Sequence, residues 1–277
     1  MEDIYINQLK EIYKEKGVYY KDEESPLLHE SCVSRAICWK SNMTAVNENK
    51  IQKPYIGANY KNQLLGVGIN LYEHGGWESI THLFRGKEVE EKKEKGAMDF
   101  LKNGKKRINF DAKDYGGTLI FHRLAVYATI ILEKEIKCDG KYVLSSSGKN
   151  IYDDFELLIN TTEKIAFVNA VKCSPKGNYS RPTQEMQNIC PQLFLFKEIL
   201  VLKPEFVLIL GKTVFYALKS IRINSFSIEE GLCYSRCGSY KMTIDNQTFK
   251  GFWVVHPQYR KGGSSLQIAP ELFKLRE

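Results

Sequence analysis

Four short apolar runs constrain the fold of this chain more than any other feature. They are 63–69 (QLLGVGI), 165–171 (IAFVNAV), Phe206–Leu210 (FVLIL) and 252–255 (FWVV). Each is apolar throughout or nearly so, which is the pattern of strands buried on both faces of a parallel sheet rather than of half-solvated strands. Helical stretches separate them. Residues 119–137 read as an amphipathic helix. Residues 183–203 read as a helix opening on an imperfect capping box, Thr183-x-x-Met186, and 212–220 as a short helix after Gly211. Residues 3–16, with Ile4, Leu9, Ile12 and Tyr13 among charges, add a helix at the start. Strands alternating with helices imply an α/β fold of three layers, a central, mostly parallel four-stranded sheet flanked by helices. A length of 277 residues suits one domain, 1–277, and 43% hydrophobic with 12% aromatic residues excludes a disordered chain.

No apolar run approaches the roughly 20 residues that span a bilayer. The first residues, MEDIYINQLKEIYKEKG, lack the apolar centre of a signal peptide. The expectation is a cytosolic chain without a membrane partner. There, seven cysteines are expected as free thiols or metal ligands rather than disulfides. The net charge of +7 is compatible with a polyanionic partner. Residues of about 20–60, polar and broken by Pro26 and Pro54, read as irregular structure, yet they hold Cys32 and Cys38.

The ends of the apolar runs carry the unusual residues. The first is followed by Asn70; the second contains Asn169 and leads into Lys172-Cys173. The third ends in Gly211-Lys212-Thr213 and the fourth in His256-Pro257. In a parallel α/β sheet, ligands bind outside the carboxyl ends of the strands. Asn70, Asn169 and His256 therefore converge in one crevice if the four runs share a sheet. Taken singly, Asn70 also fits a turn or helix cap, Asn169 a satisfied buried amide, and His256 a plain strand end. Gly211-Lys212-Thr213 lacks the upstream glycine of a Walker loop.

Together these segments resemble the uracil-DNA glycosylase superfamily. Within 169–211, the elements Asn169, Lys172, Cys173, Pro175, Arg181-Pro182, Cys190-Pro191, Lys203-Pro204 and Leu210-Gly211 are similar to the iron–sulfur, family 4 type branch. His256-Pro257 resembles the late motif of the superfamily. The first motif departs from that branch: Gly68-Ile69-Asn70-Leu71-Tyr72 stands where it carries Gly-Glu-Ala-Pro-Gly. Gly-Ile-Asn is similar instead to the mismatch-specific and single-strand-selective branches.

The resemblance implies a monofunctional DNA glycosylase. Asn70 would position the attacking water, His256 would stabilise the leaving base, and Asn169 would read that base, with Phe121 stacking on it and Tyr72 in the same base-binding set. The residue types suit the reaction. An Asn carbonyl orients a water without being a strong base, a His N–H meets developing charge, and an Asn amide offers both a donor and an acceptor to a flipped pyrimidine. Glu73 reads as an alternative acid or base, or as a solvated loop residue; Phe121 reads equally as a core residue.

Cys173 and Cys190 have 16 residues between them, Cys32 and Cys38 five. The resemblance implies that these four hold a [4Fe–4S] cluster with a structural role, zinc being the alternative for four thiolates. Cys233 and Cys237 are either a rival metal pair or free thiols on a hairpin, and Cys138 an ordinary thiol at a helix end. By the same resemblance, the stretch after His256 is a duplex-probing loop. Tyr259 or Arg260 would fill the gap left by the flipped base, and Lys261 would meet phosphate; otherwise the stretch is a basic surface loop. A charged insert at about 78–113, with ten Lys/Arg and six Asp/Glu over 85–113, either crosses DNA or is a solvated helical stretch. The expected target is uracil, or a bulkier modified cytosine of the kind found in phage DNA, which would make the protein a defence enzyme. The alternative is a non-catalytic binder of DNA or of a modified base with the same fold. DNA is the expected partner and a monomer the expected state.

Overall fold

All four apolar runs are strands, and they lie side by side. The computed structural model describes residues 2–16, 19–20, 27–28, 54–69, 116–172, 182–256 and 264–277. Its strands are β1 (Tyr19–Tyr20), β2 (Leu27–Leu28), β3 (Tyr55–Ile56), β4 (Leu64–Gly68), β5 (Lys137–Asp139), β6 (Tyr142–Leu144), β7 (Ile165–Asn169), β8 (Phe206–Leu210), β9 (Phe226–Cys233), β10 (Cys237–Ile244) and β11 (Gln247–Val254). The main sheet has seven strands in the order β3-β7-β4-β8-β11-β10-β9. Its centre, β7-β4-β8-β11, is parallel throughout, with Gly68 opposite Asn169 and Leu210 opposite Val254. The expected four-stranded sheet is thus extended by three antiparallel strands, β3 on one edge and the β9–β10 hairpin on the other. Tyr55-Ile56 therefore belongs to the sheet rather than to irregular structure.

Helices cover both faces. On one side lie α1 (Glu2–Glu15), α4 (Gln184–Cys190), α5 (Phe196–Leu202) and α6 (Lys212–Lys219); on the other lie α2 (Gly116–Leu132), α3 (Phe155–Thr162) and α7 (Ser264–Arg276). The alternation of strand side chains divides the core accordingly. Leu65, Val67, Val168, Val207 and Ile209 face Leu9, Tyr13, Phe194 and Phe215. Leu64, Phe167, Leu208, Leu210 and Val254 face Leu124, Tyr127, Ile131 and Leu272. With both faces covered, β4, β7 and β8 are almost wholly buried, which is why their sequences carry no alternation. No helix among the described residues is long and apolar enough to cross a membrane.

Local chemistry sets the helix bounds. Thr183 caps α4, its side chain accepting from the Met186 amide at 3.3 Å. Pro191 has no amide hydrogen, and the helical run passes through a π turn, Pro191–Leu195, before continuing as α5. Lys203 closes it in the left-handed region at φ 43°, its amide bonded to Ile199. The helix expected over 119–137 ends at Leu132. Ile136 keeps the helical period because it is buried, but it sits in a connection to the β5–β6 hairpin, which turns at Gly140 with φ +57°. Cys138 consequently lies on β5 and not at a helix end.

Candidate active site

The carboxyl ends of the four parallel strands form one edge of the sheet, and two of the three expected site residues are described there. Asn169 is the last residue of β7; His256 follows β11 by two residues. Strands β4 and β8 lie between them. At about 4.8 Å between neighbouring strands, the two outer strand axes are about 14 Å apart, so the side chains flank a gap rather than touch. Asn70 lies outside the described residues, but the chain is followed to Ile69. The β4–β7 pairing continues past the strand ends, with the Ala170 amide on the Gly68 carbonyl at 2.7 Å and the Val171 amide on Ile69 at 3.0 Å.

Asn169 is 5% exposed. Its Oδ1 is buried and has no hydrogen-bond partner among the described residues. A buried carbonyl without a donor costs about 1–3 kcal/mol. An amide oxygen held in that state is suited to a donor that arrives with a ligand, such as a ring N–H or exocyclic amine of a base.

The Asn169 backbone is held as firmly as its side chain is unmet. The Lys172 Nζ donates to the Asn169 carbonyl at 2.6 Å and to Glu198 Oε2 at 2.6 Å. These ionic side chains are 3% and 0% exposed. The Tyr13 hydroxyl donates to the other Glu198 oxygen, and the Lys172 ammonium lies 6.0 Å from the centre of the Tyr13 ring. Three elements distant in sequence, α1, the turn after β7 and α5, thus meet in one buried polar group behind Asn169.

At the other side of the gap, His256 is half-buried. Burial first, and the positive charge of Arg123 second, hold its imidazole below the ordinary value of 6.5. The ring is therefore neutral at pH 7 and carries one N–H donor. Arg123, whose charge acts on His256, is the one Lys, Arg, Asp or Glu of α2 (GGTLIFHRLAVYATIIL), and that isolation in an apolar helix is the signal by which the sequence could have marked it out. Gly211, the N-cap of α6, has φ 129°, and a Cβ there would sit 3.2 Å from Val214 Cγ2 and 3.9 Å from His256 Cδ2. A side chain would be strained by that backbone, would press on Val214 and would come into ordinary contact with the imidazole.

The remaining expectations divide. The backbone of Phe121 is within α2. Tyr72, Glu73, Tyr259, Arg260, Lys261, the insert at 78–113, Cys32, Cys38 and Cys173 lie outside the described residues. Cys190, last residue of α4, is buried on the same side of the sheet as α1. Among the described residues no group of three or more His, Cys, Asp or Glu side chains is placed to hold a metal ion. Cys233 and Cys237 are the thiols of a hairpin: one closes β9 and the other opens β10. Cys237 is buried with its thiol 3.7 Å from Glu271 Oε2, and burial, followed by that carboxylate, raises its pKa well above the usual thiol range. In the absence of a metal this thiol is held protonated.

A family model described as the Uracil DNA glycosylase superfamily matches residues 131–271, just over half of the chain. The matched span includes Asn169, Lys172, Glu198, Gly211 and His256, and it begins downstream of Asn70 and Arg123. No curated protein matches the chain.

Proposed function

The chain belongs to the uracil DNA glycosylase superfamily, and from that membership we propose that it is a monofunctional DNA glycosylase acting on a pyrimidine flipped out of DNA. The observation that carries the reading is the Asn169 Oδ1, buried and without a donor among the described residues at the carboxyl edge of the sheet. In the proposed reaction, Asn169 accepts from the N–H or amino group of the flipped base. The neutral His256 ring donates to the base carbonyl as the C1′–N bond breaks and its electron pair passes to the base. Asn70 orients a water whose oxygen bonds to C1′ and whose proton is released, leaving an abasic site and the free base. Phe121 and Tyr72 are assigned to the base, and Tyr259, Arg260 and Lys261 to the duplex.

Cys32, Cys38, Cys173 and Cys190 are assigned to a structural [4Fe–4S] cluster. What supports this is the buried thiol of Cys190 on the face of the sheet where Lys172, the neighbour of Cys173, is also buried. Four thiolates are the donor set such a cluster takes. The charged insert and the first motif, which lacks a proline after Asn70, favour a target larger than uracil, such as a modified cytosine of phage DNA. Defence against such DNA in the cytoplasm is the corresponding role for this single-domain monomer.

The test is direct. The protein is incubated with oligonucleotides carrying uracil or hypermodified cytosines, the released base is identified by mass spectrometry, and abasic sites are detected by alkaline strand cleavage. Release by the wild type and its loss in Asn70→Ala are expected. Binding without release of any base would overturn catalysis in favour of the non-catalytic reading that the departure at the first motif supports. Rapid release of uracil alone would overturn the larger target.

A further inference from the structure

We propose that Lys172 is a positioning residue for the Asn169 carboxamide, with Glu198 and Tyr13 holding Lys172 in place. The inference rests on the base-reading role of Asn169 and adds the device that aims it. The Asn169 carbonyl and the Ala170 amide belong to one peptide unit. That unit is gripped at both ends: the amide donates to Gly68 at 2.7 Å, and the carbonyl accepts from Lys172 Nζ at 2.6 Å. Fixing this plane fixes the backbone torsion at Asn169, and with it the direction in which the side chain leaves the strand end.

The grip matters because Oδ1 has no donor of its own among the described residues. An unmet buried acceptor gains by any backbone shift that brings it a donor or water, so keeping it unmet for a base requires a backbone that does not yield. A main-chain ladder holds a strand interior in this way; β7 ends at Asn169, and past it the Ala170 and Val171 amides still bond to Gly68 and Ile69 while the Asn169 carbonyl takes a charged donor, Lys172. Its own position is set by the Glu198 carboxylate at 2.6 Å, which the Tyr13 hydroxyl orients from the other side. A buried ion pair of this kind contributes little net stability beside well-packed apolar residues of the same volume. Its chemistry is better accounted for by the peptide it holds. The helix at the start of the chain, far from Asn169 in sequence, thereby belongs to the support of the site.

Removing Lys172 alone strands a buried carboxylate, so the test uses the double variant Lys172→Met/Glu198→Gln, in which the introduced carboxamide keeps an acceptor for Tyr13. Two readouts are taken. The first is the side-chain amide pair of Asn169 in protein labelled with 15N-asparagine, assigned by its loss in Asn169→Ala. The second is kcat and KM on whichever uracil or modified-cytosine oligonucleotide the wild type cleaves. The double variant is expected to keep the signals of the other labelled asparagines, such as Asn150 and Asn160, to broaden or move the Asn169 side-chain pair, and to lose roughly 100-fold in kcat with KM little changed. An unaltered side-chain pair, or an unaltered kcat on a cleaved substrate, overturns the proposal. Should the wild type release no base from any oligonucleotide, the glycosylase reading fails, and the amide signal still decides whether Lys172 positions Asn169.

Discussion

Neutralising Glu198 is the sharpest test of the buried polar group. Glu198→Gln removes the countercharge of Lys172 while keeping nearly the same volume. Lys172 is then a buried cation facing a carbonyl and a neutral amide, and both sites are at most 3% exposed, so solvent screens little of the loss. Breaking a buried pair by removing one partner costs about 3–5 kcal/mol. For 277 residues, a melting entropy of roughly 2.1 cal/mol/K per residue gives about 0.6 kcal/mol/K, so the expected drop in Tm is about 5–9 °C. Against a total stability of about 5–15 kcal/mol, that is enough to bring partial unfolding into view. The double variant Lys172→Met/Glu198→Gln, which leaves no unpaired charge, is expected to recover most of the loss. The coupling between the two positions should therefore be large, as it is for residues sharing one network. Thermal and urea denaturation of the two single variants and the double one measure it. A Glu198→Gln protein within about 1 °C of wild type, or a double variant as unstable as the two single losses added together, would refute the description of this pair as a buried, mutually dependent unit.

Two further outcomes follow from the other side of the gap. The His256 imidazole is held below its ordinary value, by burial first and by Arg123 second, whereas the unfolded ring titrates near 6.5. Between those two values the unfolded chain binds more protons, so the stability His256 contributes is complete above about pH 6.5 and is lost as the pH falls through the folded value. An NMR titration of the ring is expected to show a midpoint below 6.5 that rises in Arg123→Gln; a wild-type midpoint at or above 6.5 would sink the argument. Gly211→Ala forces a Cβ onto a backbone with φ 129° and against Val214, so a loss of about 1–3 kcal/mol is expected, together with a shift of the His256 ring signals. A change below about 0.5 kcal/mol by denaturation would refute the strain.

The parts of the fold legible in the sequence are those where burial on both faces removed nearly every polar residue. Ile165–Asn169 and Phe206–Leu210 could be read as strands because they had no solvent side. The hairpin at the sheet edge was illegible for the opposite reason. Strand β9 (FSIEEGLC) is mostly exposed and carries two adjacent glutamates, so it sends no apolar signal. The first half of β11, including Gln247, Thr248 and Lys250, is exposed as well, and only its inner half, Gly251–Val254 by burial, has the apolar pattern of a strand. The helix bound was overrun because Ile136 is a core residue at a helical spacing, and spacing does not distinguish a helix from a buried turn.

The site was half legible on the same physical grounds. Asn169 and His256 interrupt apolar runs, and a polar residue at the end of a buried strand is conspicuous. Lys172, Glu198 and Arg123 stand in mostly apolar stretches (NAVKC, FKEILVL and FHRLAVY), but nothing in the sequence says that a lysine and a glutamate 26 residues apart are brought together by the fold. The topology also bears on the motif that departs from the iron–sulfur branch. Strand β4 lies between β7 and β8, and the Val171–Ile69 bond carries the β4–β7 pairing up to the residue before Asn70. Ile69 therefore lies beside the end of β7, one strand nearer to β11 and His256. On the proposed glycosylase reading, the choice of base is assigned to the residues after Asn70. Exchanging residues 71–77 for a short proline-bearing turn is then expected to change which base is released while leaving Asn169 and His256 in place. A chimaera that releases the same base as the wild type would move the determinant of base choice elsewhere in the chain.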